Sequence, residues 1–270
     1  NGTIWNKPAP TLPPSFETVQ PWQLSRVLSH NSSLSESELR GPGGTGVNIY
    51  MLASGVRASH AEFRRPDGSS RVVPLFGVDG SDPAEDCADS WLWYGYGTYA
   101  ASLAAGSNVG VAWNATVHSA RFRTTCVFES PAIWSPGGLP SAMDAVLSTF
   151  QPPGVMVIDT WWSPDRMSYD DDRYIQAALK ARLDRAQVLG LPVFVTAGTG
   201  LAPPCDNVLA THPATIAVAG VDASNVLSLF GPGNSSCIDL WAPGGGPGSP
   251  ILGALASADD GYISVVPRGF

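Results

Sequence analysis

Five short apolar runs punctuate the chain: Val47–Ala53, Thr116–Phe122, Gly154–Thr160, Pro192–Thr196 and Thr215–Val221. Their hydrophobicity is near-continuous instead of alternating, the pattern of strands covered on both faces, so they predict buried parallel strands. Between them Thr98–Ala105, Pro140–Phe150 and Asp171–Leu189 read as helices. In the last, Tyr174, Ala177, Ala178, Ala181 and Leu183 fall on or near one stripe. Asp170 and Asp171 stand at its positive N-terminal end, and Gly190 stops it. Strands alternating with helices predict an α/β fold on a doubly wound sheet. No internal repeat is visible.

Length and composition agree with one compact domain. The 270 residues carry 44% hydrophobic side chains, enough for a sizeable core, and 29 Gly and 24 Pro, which suit many turns and few long helices. Charged residues make up only 14%, with a net charge of -8, which argues against nucleic acid or an anionic membrane as partner. Few charges and nine Trp point to surface buried against protein partners. No apolar run reaches the length of a membrane span. The Pro-rich, polar start reads as an N-terminal extension or linker over residues 1–19, ahead of a domain over 20–270.

Cys87, Cys126, Cys205 and Cys237 are even in number, with neither a Cys-x-x-Cys pair nor a Cys/His cluster to suggest metal, and three disulfide pairings are open. N-glycosylation sequons begin at Asn1, Asn31, Asn114 and Asn234. Any one is a weak signal. Together with the cysteines they place the protein in a eukaryotic secretory route, outside the cell or on its surface, bearing N-glycans.

Several segments then fall into a recognisable order. Pro21–Arg26 comes first, followed by Val47–Val56 and by Ala58-Ser59-His60-Ala61-Glu62-Phe63. Gly95-Tyr96-Gly97-Thr98-Tyr99 runs into Ala100–Gly106, then Gly110-Val111-Ala112. Pro192–Thr199, Val218–Asn225, Ile238–Gly244 and Tyr262–Pro267 complete the series. From about Gln20 to Ile263 this order resembles the subtilisin-like serine proteases, in their proteinase K-like branch. The resemblance implies a three-layer, doubly wound, mostly parallel sheet with helices on both faces. It also favours Cys87 with Cys126, leaving Cys205 with Cys237, each loop contributing about 3–4 kcal/mol.

The resemblance also implies a degenerate site. Ala53 occupies the position of the triad aspartate, Tyr96 that of the general base in Gly-His-Gly-Thr-His, Thr199 that of the oxyanion-hole asparagine, and Pro267 that of the nucleophile. A phenol with a pKa near ~10 does not take a serine proton at neutral pH. Losing one triad member removes most of the rate, and losing an oxyanion donor costs about 10²–10³-fold. His60 is then a structural histidine. Where the family's substrate-pairing segment reads Ser-Leu-Gly-Gly, Trp161 and Trp162 stand, either capping a core strand or forming an aromatic contact surface. The chain stops at Phe270, about where the nucleophile's buried helix would begin, so a cleaved C-terminal segment or a partner is expected to cover the sheet. Asp239 with the backbone oxygens of Pro213 and Thr215 matches a structural calcium site, the alternative being an aspartate that hydrogen-bonds a loop.

Other residues receive plainer readings. Asp170-Asp171-Asp172 serve the helix dipole, and Asp82, Glu85, Asp86 and Asp89 form a wet acidic loop. His118 and His212 are ordinary hydrogen-bonded histidines, and Ser54 and Ser264 are weak nucleophiles without a base. The expectation is a non-enzyme, a pseudoprotease acting as a binding or structural subunit of an extracellular glycoprotein assembly. The alternatives are a serine-type hydrolase with a relocated or partner-completed site, and a protease decoy or inhibitor.

Overall fold

The computed structural model describes residues 21–28, 41–87, 96–123, 137–159, 169–198, 208–228, 236–246 and 248–265. Its frame is a seven-stranded sheet of β1 (Asn48–Ala53), β2 (Val72–Gly77), β3 (Thr116–Arg121), β4 (Gly154–Ile158), β5 (Val193–Thr196), β6 (Thr215–Val221) and β7 (Leu240–Pro243). The spatial order is β2-β3-β1-β4-β5-β6-β7, and every neighbouring pair is parallel. A separate antiparallel hairpin joins β8 (Ile251–Ala254) to β9 (Tyr262–Val265). The helices are α1 (Trp22–Leu28), α2 (Tyr96–Ala105), α3 (Gly138–Thr149), α4 (Tyr169–Val188) and the single turn α5 (Val208–Thr211).

The five apolar runs all become strands of this sheet, within a residue or two of their expected limits. Alternate side chains of β1 serve opposite faces, as the pleat demands. Tyr50 and Leu52 join Met143, Leu147, Leu179 and Leu183 in one core, whereas Ile49, Met51 and Ala53 join Phe63, Ala101 and Val117 in the other. Helices α3 and α4 therefore cover one face and α2 the other, giving the three-layer α/β architecture with helices on both sides.

One face was misread. Helix α4 does not bury Tyr174, which is 80% exposed, and Ala177 and Ala181 are exposed with it. Its core stripe is Ile175, Leu179, Leu183 and Ala186, at steps of four, four and three residues. The alanines blurred the pattern, because a methyl group fits either side of a helix. Strand β2 gave no clear apolar signal because Pro74 interrupts it, a residue tolerated at the sheet edge and here beside a register shift between Pro74 and Phe76.

The corrected face makes a direct prediction. Leu183→Ala should lower unfolding free energy in urea by about 2–5 kcal/mol through loss of a buried side chain and the void it leaves. Tyr174→Ala should stay within about 0.5 kcal/mol of the parent. A larger loss from Tyr174→Ala would reverse the assignment.

Candidate functional site

The strand order reverses at β1, which has β3 on one side and β4 on the other, and in open parallel sheets the crevice at the carboxyl ends of such strands is where ligands bind. Ala53 ends β1 there, Arg123 follows β3, Asp159 follows β4, and Tyr96 opens α2. The helix starts hard against the sheet. A Cβ on Gly97 would lie 1.9 Å from the Gly55 carbonyl oxygen and 3.1 Å from Ala53 Cβ, so glycine alone permits this approach. Gly97 thus brings the start of α2, where Tyr96 stands, against the end of β1 at Ala53, and neither Ala53 nor Tyr96 supplies an aspartate or an imidazole.

Asp86 organises the crevice floor. Its Oδ1 accepts from Ser54 Oγ at 2.7 Å and from the Cys87 N–H at 2.7 Å, and its Oδ2 accepts from the Thr98 N–H at 2.7 Å. Ser54 Oγ in turn accepts from the Gly97 N–H at 3.0 Å. The first N–H groups of a helix have no partner within it, and here Asp86 and Ser54 satisfy two of them from other elements. The reading of Asp86 as part of a wet loop is therefore corrected: it is buried, although Glu85 beside it remains well exposed. Burial raises its pKa, and the bonds from Thr98, Ser54 and Cys87 pull the other way. Ser54 is 1% exposed and gives its proton to this carboxylate.

Above Asp86 lie Tyr96, Arg123 and Asp159. Burial, and secondarily the charge of Asp159, push the Tyr96 phenol up to about 12, so it keeps its proton throughout the neutral range. Burial lowers the pKa of the Arg123 guanidinium, against which Asp159, Asp86 and Tyr96 hold it charged. Asp159 donates its backbone N–H to Leu52 O at 2.9 Å, which fixes it beside the end of β1. Its Oδ2 is enclosed without a hydrogen-bond partner among the described residues. Burial lifts its carboxyl to about 6, with Arg123 opposing the shift and Asp86 adding to it. None of Asp86, Arg123 and Asp159 was picked out as a site residue. The available signal was a charged residue directly after a buried strand, at Arg123 and at Asp159.

The remaining expectations divide between described and undescribed residues. Thr199, Pro267, Trp161, Trp162, Cys126, Cys205, Asn1, Asn31 and Asn234 lie outside the described residues. Cys87 and Cys237 are not free thiols. His60 is enclosed, with Nε2 at 2.9 Å from Gly261 O and Nδ1 accepting from the Glu62 N–H, so both ring nitrogens face backbone. His118 stacks on Tyr50 and contacts Asn48 Oδ1 at 2.9 Å, and His212 finds in Asp184, at 3.2 Å, a carboxylate that sequence did not suggest. Asp239 Oδ2 accepts the Ala217 N–H at 2.8 Å, and no cluster of three metal-binding side chains occurs among the described residues. The β8–β9 hairpin is clamped over the end of α2's layer: Arg57 Nε meets Asp259 at 2.7 Å and Tyr262 hydrogen-bonds the buried Glu62.

Comparison with known proteins finds relatives in both sequence and structure. A cuticle-degrading serine protease of Arthrobotrys oligospora is 26% identical over 245 residues, 90% of this chain and 53% of that protein. Alkaline serine exoprotease A of Vibrio alginolyticus is 27% identical over 223 residues, 83% of this chain and 37% of that protein. The crystal structure of a cold adapted subtilisin-like serine proteinase superposes with a TM-score of 0.70 at 26% identity, over 92% of this chain and 78% of that one. In sequence and in fold the chain is similar to the subtilisin-like serine proteases. No protein-family model matches it. This subtilisin-like chain spans about half the length of the curated relatives it matches, or less.

These relatives also correct an expectation. The chain was read as a non-enzyme from Ala53, Tyr96 and Pro267, yet the proteins that match it along 83–90% of its length bear the names of serine proteases. Pro267 lies outside the described residues.

The Asp159 carboxyl titrates at about 6 in the fold against 3.8 in an open chain, so the folded state holds the extra proton between those values. Its contribution to stability is full below about pH 4 and is lost as pH rises through 6. Asp159→Asn, isosteric with the protonated acid, should be more stable than the parent at pH 7 by up to about 3 kcal/mol, and the gap should close from pH 6 to pH 4. Chemical denaturation across that range checks this, and a variant less stable than the parent at pH 7 would contradict it.

Proposed function

We propose that this chain is the sheet-bearing portion of an extracellular, subtilisin-like serine-type hydrolase of peptides whose proton-accepting group has moved to Asp159. The observation that supports the reading is the enclosed Asp159 carboxyl, titrating at about 6 at the carboxyl end of β4 and next to the start of α2. A general base works best with a pKa near the working pH, and enzymes raise carboxylates into this range by burial. Above pH 6 Asp159 accepts a proton from the attacking hydroxyl, and the resulting acid returns it to the departing amine. Arg123 limits the charge swing, and Tyr96, which keeps its proton, acts only as a donor. Ser54, sealed against Asp86, is not the nucleophile in this reading.

The reading assigns Trp161 and Trp162 as aromatic contacts for an extended substrate. Extracellular placement is supported by the four sequons and the even cysteine count, with Cys87–Cys126 and Cys205–Cys237 as the proposed disulfides. Among the described residues no helix is long and apolar enough to cross a membrane. If a structural calcium binds here, Asp239 and the Pro213 and Thr215 carbonyls would be the residues holding it, while Asp239 Oδ2 is already engaged by the Ala217 N–H. Membership of a larger glycoprotein assembly is a second reading, favoured by the edge strand β7, where Leu240 is 50% and Trp241 40% exposed.

A library of quenched peptides assayed with the full-length secreted protein tests the first reading. Hydrolysis should rise as pH passes 6 and level off above it, a serine-directed phosphonate should label the protein, and Asp159→Asn should lower kcat/KM about 10²–10⁴-fold. No hydrolysis and no labelling, or full activity in Asp159→Asn, would overturn it.

A further inference from the structure

We propose that Asn114 is an N-glycosylated residue seated in a preformed turn at the pole of the sheet opposite the candidate site. Among the four sequons it is the one within the described residues, and the structure gives it a specific setting. Asn114 is exposed, at the tip of the turn that leads into β3. Its backbone N–H donates to Gly43 O at 2.6 Å, and its Nδ2 donates to Thr45 Oγ1 at 2.7 Å. Thr45 Oγ1 itself donates to Pro42 O at 2.8 Å, so the hydroxyl that receives Asn114 is held in place.

Only one of the two Nδ2 protons is spent in this arrangement, and the other is free to be replaced by a sugar without loss of the Thr45 bond. The neighbouring Trp113 packs against the 41–46 turn so closely that a Cβ on Gly43 would come within 2.3 Å of its ring, which helps fix the turn that presents Asn114. Thr116, the third residue of the sequon, opens β3, and its N–H donates to Val47 O, which ties the acceptor motif to the N-terminal end of β1.

The location has a consequence. Asn114 sits at the N-terminal ends of β1 and β3, whereas Arg123 and Asp159 sit at the carboxyl ends of β3 and β4. A six-residue strand is about 20 Å long, so a glycan here shields one pole and leaves the crevice at the other unobstructed. The inference rests on the secretory placement in the reading above but not on catalysis, so occupancy and hydrolysis fail separately.

The test uses the full-length protein secreted from a eukaryotic host. Release of N-glycans by an amidase in heavy-oxygen water converts each occupied asparagine to a mass-labelled aspartate. The peptide containing Asn114 should carry the label, and Thr116→Ala, which keeps Asn114 and its bonds but destroys the sequon, should shift the protein by one glycan. The titration midpoint of Asp159 should be the same in Thr116→Ala as in the glycosylated parent. An unlabelled Asn114 peptide overturns the modification, and a displaced Asp159 midpoint overturns its placement at the far pole.

Discussion

One buried carboxylate holds the crevice together. Asp86 receives the Ser54 hydroxyl from the end of β1, the Thr98 N–H from the first turn of α2 and the N–H of Cys87 from its own loop. Three segments distant in sequence are thereby fixed at one point, and α2 is capped at the end where its dipole favours negative charge. The close seat of Gly97 on Gly55 and Ala53 follows from that anchoring. Without Asp86 nothing described would satisfy the Thr98 N–H, and the start of α2 would be held by the Gly97–Ser54 bond and the packing of Gly97 on Gly55 and Ala53.

The cost of this floor appears in the layer above. Two carboxylates share a small volume with one guanidinium, and desolvation dominates the pKa of each of the three. Asp86 has three donors to offset its burial, while Asp159 has an enclosed oxygen with none among the described residues. Asp86, bonded to three other residues, is a framework group even though burial raises its pKa, and Asp159, lifted to about 6, is the acid the proposed function assigns to proton exchange. Strain of this sort concentrates at functional positions because the surrounding fold must sustain it. Here the sustaining frame is a wholly parallel sheet packed on both faces.

Much of the frame was legible from the residues. Runs such as Val47–Ala53 and Thr215–Val221 declared themselves because a strand buried on both faces tolerates little but apolar side chains. Helix α4 was legible as a helix but not in its orientation, since Ala177, Ala178 and Ala181 carry no preference between core and solvent. The site was legible only as a set of vacancies. Ala53 and Tyr96 stood out only through the family resemblance, and nothing local marked Asp86, which reads as one more acid in the stretch Asp82–Asp89. Its role depends on tertiary contacts with Ser54 and Thr98, and no spacing rule encodes them. For Arg123 and Asp159 the cue was positional, a charge directly following a strand.

The central claim is that the crevice holds a carboxyl tuned by burial to titrate near neutrality. Carbon-13 NMR of the aspartate carboxyls, with Asp159 assigned through Asp159→Asn, measures this without reference to any substrate. The account predicts an Asp159 midpoint of about 6. A midpoint at or below 4 would mean that solvent or Arg123 stabilises the ionised form, and the proton-accepting role assigned to Asp159 would not stand.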